Sequence, residues 1–309
     1  MNFLQNLSMD FNTSLTSAEI AVGLISCVLA ILMGAFLAKK QARAFSAQEH
    51  NSIRTSMPNH DGLPDVTFVD YGDMRFLHLG TPAVQGSMRI SKPFEIHLEY
   101  VQRMMVWLLF IDLTQLPHLH VMQMGLGAAS LTKFCHHHLG TKTTAVELNP
   151  QVIATCRRWF ALPDNDARLQ VLVADAGEIA SNHQWHGKID ILQVDLYDQE
   201  AARPVIDSEV FYRDCQHLLK QQGCMVVNLF GHDSNYANSL QKIIDVFGSD
   251  KVWSFKPTKA GNTIVLAFRT ACNIEQSTLL KQAEIIETRW SLPAIKWLKA
   301  FATQASKNF

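Results

Sequence analysis

Two glycines and four acids recur in this chain at positions that suit one small ligand. In "MGLGAAS" (124–130), Gly125 and Gly127 follow a short apolar run and open a helix-forming one. Glycines there allow close backbone approach to a ligand, and the following helix offers unpaired amides to it. Glu147, in "AVELNP", stands 22 residues after Gly125, where an acid accepts hydrogen bonds from ribose hydroxyls. Asp175 ends the apolar run of "VLVADAGEIA", where an acid can accept from an adenine amino group. Asp195 and Asp198, in "VDLYD", lie three residues apart at the end of another such run. Two acids in one crevice can hold a cationic amine and take up its proton, because neighbouring negative charge raises carboxylate pKa values. Each feature also has a plain structural reading. A GxG serves ordinary turns, and Asn149-Pro150 and Asp175 suit the starts of helices. The shared register along successive strand ends favours a nucleoside site with an amine beside it.

Those strand ends need a sheet to hold them. The candidates are His120–Met124, Thr143–Leu148, Leu169–Ala174, Ile189–Val194 and Cys224–Phe230, with helices expected over 128–138, 150–160 and 207–222. Apolar, β-rich runs alternating with helices predict right-handed βαβ units and a parallel sheet covered on both faces. Ligands of such sheets bind beyond the carboxyl ends of the strands, which is where the acids fall. Upstream, "DVTFVDYGDMRFLHLG" (65–80) reads as a hairpin turning at Gly72-Asp73, and 94–110 as a helix. Downstream, "KVWSFKP" and "NTIVLAFR" form an antiparallel pair around "TKAGN". Two helices, 275–288 and 293–304, close the chain.

Composition narrows the partners. With 309 residues, 48% hydrophobic and 18% charged, and a net charge of −1, the chain is globular and offers no basic surface for nucleic acid. Its six cysteines are scattered without a CxxC pair and read as free thiols rather than a disulfide framework. His136-His137-His138 lack partners at ligand spacing, so they read as a solvated helix end and no metal is expected. Ile20 to Ala38 is an uncharged run of nineteen residues followed at once by Lys39, Lys40 and Arg43. Its length suits a membrane span, and its charge flank puts the following chain in the cytoplasm, tethered to the inner face of the membrane. A buried core helix and a misassigned start are the competing readings.

These motifs resemble those of the polyamine aminopropyltransferases, the spermidine synthase family. "MGLGAASLTKF" is similar to that family's Gly-Gly-Gly-Asp-Gly-Gly-Thr-Leu-Arg-Glu loop, "VELNP" to Val-Glu-Ile-Asp, "VADAGEI" to Gly-Asp-Gly, and "VDLYD" to Val-Asp-Ser-Ser-Asp. "DSEVFYRDCQHLLKQQGCMVV" resembles its Ser-Glu-Glu-Phe-Tyr-Arg segment. The resemblance runs through most of 84–230. It implies an α/β, Rossmann-like fold of the S-adenosylmethionine-dependent methyltransferase type with a small N-terminal β region. The expected divisions are a hydrophobic segment (1–40), a linker (41–64), the small β region with its helix (65–115) and the Rossmann-like catalytic domain (116–309).

By resemblance, the co-substrate is decarboxylated S-adenosylmethionine, held at the glycine loop (Gly125, Gly127), with its ribose on Glu147 and its adenine region at Asp175 and Ala176. Asp195 deprotonates the attacking amine, and Asp198 and Gln102 bind the acceptor, a small amine such as putrescine. A homodimer is the expected assembly. The chain also departs from the family pattern. Gly127 stands where the family carries the aspartate that anchors the donor's ammonium, and Val101 and Arg103 replace the Tyr and Glu beside Gln102. Arg103 would suit a carboxylate, which keeps undecarboxylated S-adenosylmethionine and a methyltransferase, or a noncatalytic nucleoside binder, as alternatives.

Overall fold

The computed structural model describes residues 62–197, 206–230 and 234–303. The apolar run 20–38 and Asp198 therefore lie outside the described residues. Among those described, no helix is long and apolar enough to cross a membrane.

A small antiparallel sheet comes first, with β1 (Val66–Tyr71), β2 (Met74–Leu79) and β3 (Val84–Arg89) in that order. The turn between β1 and β2 requires Gly72, whose φ is +58°. The register of β2 with β3 slips between Leu77 and His78, which face Gly86 and Val84. Gln85 is thus the extra residue of a β-bulge, a device that re-aims a side chain.

The large sheet has eight strands: β4 (His120–Met124), β5 (Lys142–Glu147), β6 (Leu169–Val173), β7 (Ile189–Val194), β8 (Leu219–Phe230), β9 (Val252–Phe255), β10 (Asn262–Phe268) and β11 (Phe301–Thr303). Their spatial order is β11-β9-β10-β8-β7-β4-β5-β6. β6, β5, β4, β7 and β8 run parallel, and β10, β9 and β11 add antiparallel. β4 is buried at every position, so it reads as a continuous apolar run rather than an alternating one. Met122 and Leu192 face a cluster with Phe211, Tyr212, Ile243 and Phe247. Val121 and Ile191 face another with Met104, Trp107, Phe134 and Trp297. Each fully buried side chain of this size contributes about 1.5–3 kcal/mol. A third cluster joins the small sheet, through Phe68 and Leu77, to Val152 and Phe160 of the helix Pro150–Trp159 and its C-terminal boundary.

The chain leaves β4 toward β5 on one side and returns through β7 on the other, so the sheet changes direction between these two strands. A crevice opens at such a switch point.

Three expectations are corrected. Residues 94–110 are not one helix. An α-turn over Glu99–Arg103 gives way to a 3-10 segment, Val106–Phe110. Met104 to Leu109 are all almost fully buried, so core packing overrides the amphipathic period. The final helix stops at Ala300, and Phe301–Thr303 becomes a strand beside β9. His136 is buried rather than solvated; it lies in a π-helical turn with Nε2 2.9 Å from an Asp166 oxygen, while His137 stacks on Phe94.

Candidate active site

The switch point is built on close backbone approach. Gly125 has φ +85°, and an added Cβ would collide with the Asp195 carbonyl oxygen. The Asp195 amide also donates to the Met124 carbonyl at 2.9 Å. The first glycine is therefore required by the neighbouring strand end, whatever the ligand. Gly127, at φ +51°, would bring a Cβ to 3.0 Å from the Gln85 carbonyl oxygen. One residue on, Ala128 leaves no room for a side chain at Gly86, and the Ser130 hydroxyl donates to the Ser87 carbonyl at 3.1 Å. β3 thus lies directly on the glycine loop, with its bulge at Gly127.

At the end of β5, Glu147 is held by main-chain amides. Its Oε2 accepts from Leu126 at 3.0 Å and its Oε1 from Asn149 at 2.9 Å. Burial pushes its pKa up, and these two amides with that of Leu148 oppose the rise. With three amides on about four acceptor directions, the carboxylate keeps room for one further donor. Asp175 caps the helix Ala176–Ser181 through Oδ1, which accepts from Gly177 at 2.7 Å and Glu178 at 3.0 Å. The structural and ligand readings of these acids are therefore compatible.

At the end of β7, Asp195 has a different environment. Asn228 Nδ2, from β8, donates to its Oδ1 at 2.9 Å, and the Tyr100 hydroxyl also donates to the carboxylate. Asn262 Nδ2, from β10, donates in turn to Asn228 Oδ1 at 3.2 Å, and the Tyr197 hydroxyl to the Asn228 carbonyl at 2.8 Å. Burial pushes Asp195 up to about 6, against the pull of the Asn228 and Tyr100 hydrogen bonds. Burial, then the charge of Asp195, raises Tyr100 well above its ordinary value, so the phenol stays protonated and donates. A carboxylate of this kind is ionised at neutral pH yet has a raised proton affinity, which suits a general base.

Gly125, Gly127, Glu147, Asp175, Ala176 and Asp195 all line one cleft of about 800 Å³, floored by the sheet and walled by Leu77, Leu79, Val84 and Leu98. The described lining residues include no Lys, Arg or His. Gln102 is not brought to this cleft. Its amide donates to the Ile96 carbonyl at 2.9 Å beside a separate small pocket, because two residues along a helix turn it some 200° from Tyr100. Val101 is buried in the core, and the phenol expected there comes from Tyr100 instead. Arg103 is already engaged, with Glu99 Oε1 and the Lys256 carbonyl each at 2.6 Å and the Phe255 ring at 5.4 Å. It offers no cation to a ligand carboxylate in the cleft. Tyr100, Tyr197, Asn228, Asn262 and Gln85 are the cleft residues that sequence reasoning missed.

Residues 119–273 match the model of the spermine/spermidine synthase domain. The polyamine aminopropyltransferase of Neisseria meningitidis serogroup A is 33% identical over 263 residues, covering 83% of this chain and 97% of that protein. Among solved structures, a probable spermidine synthase from Corynebacterium glutamicum has a TM-score of 0.60 at 17% identity, covering 75% of this chain and 88% of that one. Human methyltransferase-like protein 13, in complex with SAH, has a TM-score of 0.56 at 20% identity, covering 63% and 93%. The structural likenesses concern the fold. The domain match and the extended sequence identity establish that the chain belongs to the spermine/spermidine synthase family.

Proposed function

We propose that this chain is a polyamine aminopropyltransferase, moving an aminopropyl group from decarboxylated S-adenosylmethionine to a small amine such as putrescine. The observation that carries this reading is Asp195, with raised proton affinity and hydrogen-bonded by Tyr100, in a cleft whose described lining has three acids and no cationic side chain. A ligand bearing a sulfonium and an ammonium suits that inventory, whereas a carboxylated donor finds no side-chain cation among the described residues of the lining. In this reading Glu147 receives the ribose, and Asp175 and Ala176 the adenine region. The attacking amine forms a bond to the carbon next to sulfur while the carbon–sulfur bond breaks. Methylthioadenosine leaves as a neutral thioether, and Asp195 takes the amine's proton. Asp198 is proposed to help hold the acceptor.

At Gly127 a donor ammonium would meet Gln85 rather than an acid. That feature favours the second reading, a methyltransferase using S-adenosylmethionine on the same fold. Calorimetric titration of the full-length chain with both donors, followed by a transfer assay with putrescine, separates the two. Tighter binding of the decarboxylated donor and release of methylthioadenosine are expected; preference for S-adenosylmethionine without aminopropyl transfer would overturn the proposal.

A further inference from the structure

The route of hydrogen bonds behind Asp195 has a direction. Asn228 is 3% exposed and Asn262 8% exposed. Asn228 uses Nδ2 toward Asp195 Oδ1 and Oδ1 toward Asn262 Nδ2. An amide can face a carboxylate either way round, and only the nitrogen end stabilises the anion. Asn262 selects that end by donating to the other. The main chain at Asn262 is itself fixed, since its backbone N–H donates to Thr258 Oγ1 at 3.1 Å and its backbone carbonyl accepts from the Thr258 N–H at 2.8 Å. The Tyr197 hydroxyl holds the Asn228 carbonyl. The relay thus runs from the turn before β10, through β8, to the end of β7.

Resting on the transfer reading, we infer that Asn228 and Asn262 are positioning residues that orient the Asp195 carboxylate and keep it ionised for proton uptake. Neither needs to touch substrate for this. Among the described residues, the titratable groups around Asp195 are Tyr100, which donates to it, and Tyr197, whose hydroxyl is turned to Asn228; Glu147 and Asp175 line the same cleft. The amides supply stabilisation without another charge. Without them, burial is less opposed and the carboxyl holds its proton to higher pH.

The test compares Asn228→Leu, Asn262→Leu and the double variant, each checked for folding by thermal unfolding. In Asn228→Leu the acid limb of the kcat/KM profile should move up by about one pH unit. That costs about threefold at pH 6.5 and approaches about tenfold near pH 5, with recovery at higher pH. Asn262→Leu should move the limb the same way by less, because Asn228 can then turn. The double variant should be no worse than Asn228→Leu, as expected of residues acting in series. An unmoved limb, with activity lost equally at all pH, would overturn the inference and leave the pair a packing role. Carboxyl NMR titration of Asp195, its signal identified by loss in Asp195→Asn, reads the same shift without turnover. If no donor supports transfer, the functional reading fails while this titration still decides the inference: upward in both single variants supports it, and unmoved overturns it.

Discussion

Glu147 and Asp195 share one cleft and are both raised by burial, yet the fold holds them by different means. Backbone amides of Leu126, Leu148 and Asn149 grip Glu147, so its position follows from the course of the main chain. Asp195 is held by side chains, Tyr100 and Asn228. An acid fixed by amides is suited to constant recognition. One held by exchangeable side chains has a proton affinity that sequence can tune. In the proposed function, the cleft thus separates a rigid binding end from an adjustable reacting end.

The sharpest way to break this contrast is Asp195→Asn. If Asp195 is the base, kcat should fall on the order of 10²–10⁴-fold while methylthioadenosine binding is retained in calorimetry. Unchanged turnover would remove the distinction altogether. Glu147→Gln should act the other way, weakening methylthioadenosine by roughly 10- to 100-fold through loss of charged hydrogen bonds, with a smaller change in kcat. A fall in kcat alone would show that the two ends are not separate. The smallest expected effect concerns stability. The folded pKa of Asp195, about 6, lies above its ordinary 3.8. Its contribution to stability is therefore fully present below about pH 4 and is lost as pH rises through 6. Asp195→Asn should then be more stable than the native chain by about 1–2 kcal/mol at pH 7.5, raising Tm by a few degrees, with the gain gone near pH 4. A Tm difference that ignores pH would contradict the cost assigned to the buried charge.

The rigid end was also the legible one. Buried parallel strands spell continuous apolar runs, and an acid at the end of each run marks the carboxyl edge, so Gly125, Glu147 and Asp175 could be placed in order from the chain alone, and so could the backbone position of Asp195, though not the side chains that hold it. The adjustable end was hidden by distance and by rotation. Asn228 and Asn262 belong to strands far along the sequence and look like ordinary polar residues of apolar runs. Tyr100 falls on the apolar helical period of its stretch, with Ile96, Met104 and Trp107, so its hydroxyl gave no signal, and a motif match at Gln102 carries no information about which way a short helical turn is rotated. The bulge at Gln85 arises from a register slip between β2 and β3, which depends on pairing rather than on local sequence.

The contact between Gly125 and the Asp195 backbone leaves no slack in the floor of the cleft. A side chain there would shift Asp195 along with the loop, so in the proposed function donor recognition and chemistry cannot be altered there independently. Diversification toward other amines has to come from the walls, at Gln85, Leu98 and Ala260. A library randomised at those three positions should yield soluble folded protein more often than one randomised at Gly125 alone. Evolution on this scaffold would then resemble refurnishing a room whose foundation cannot be moved.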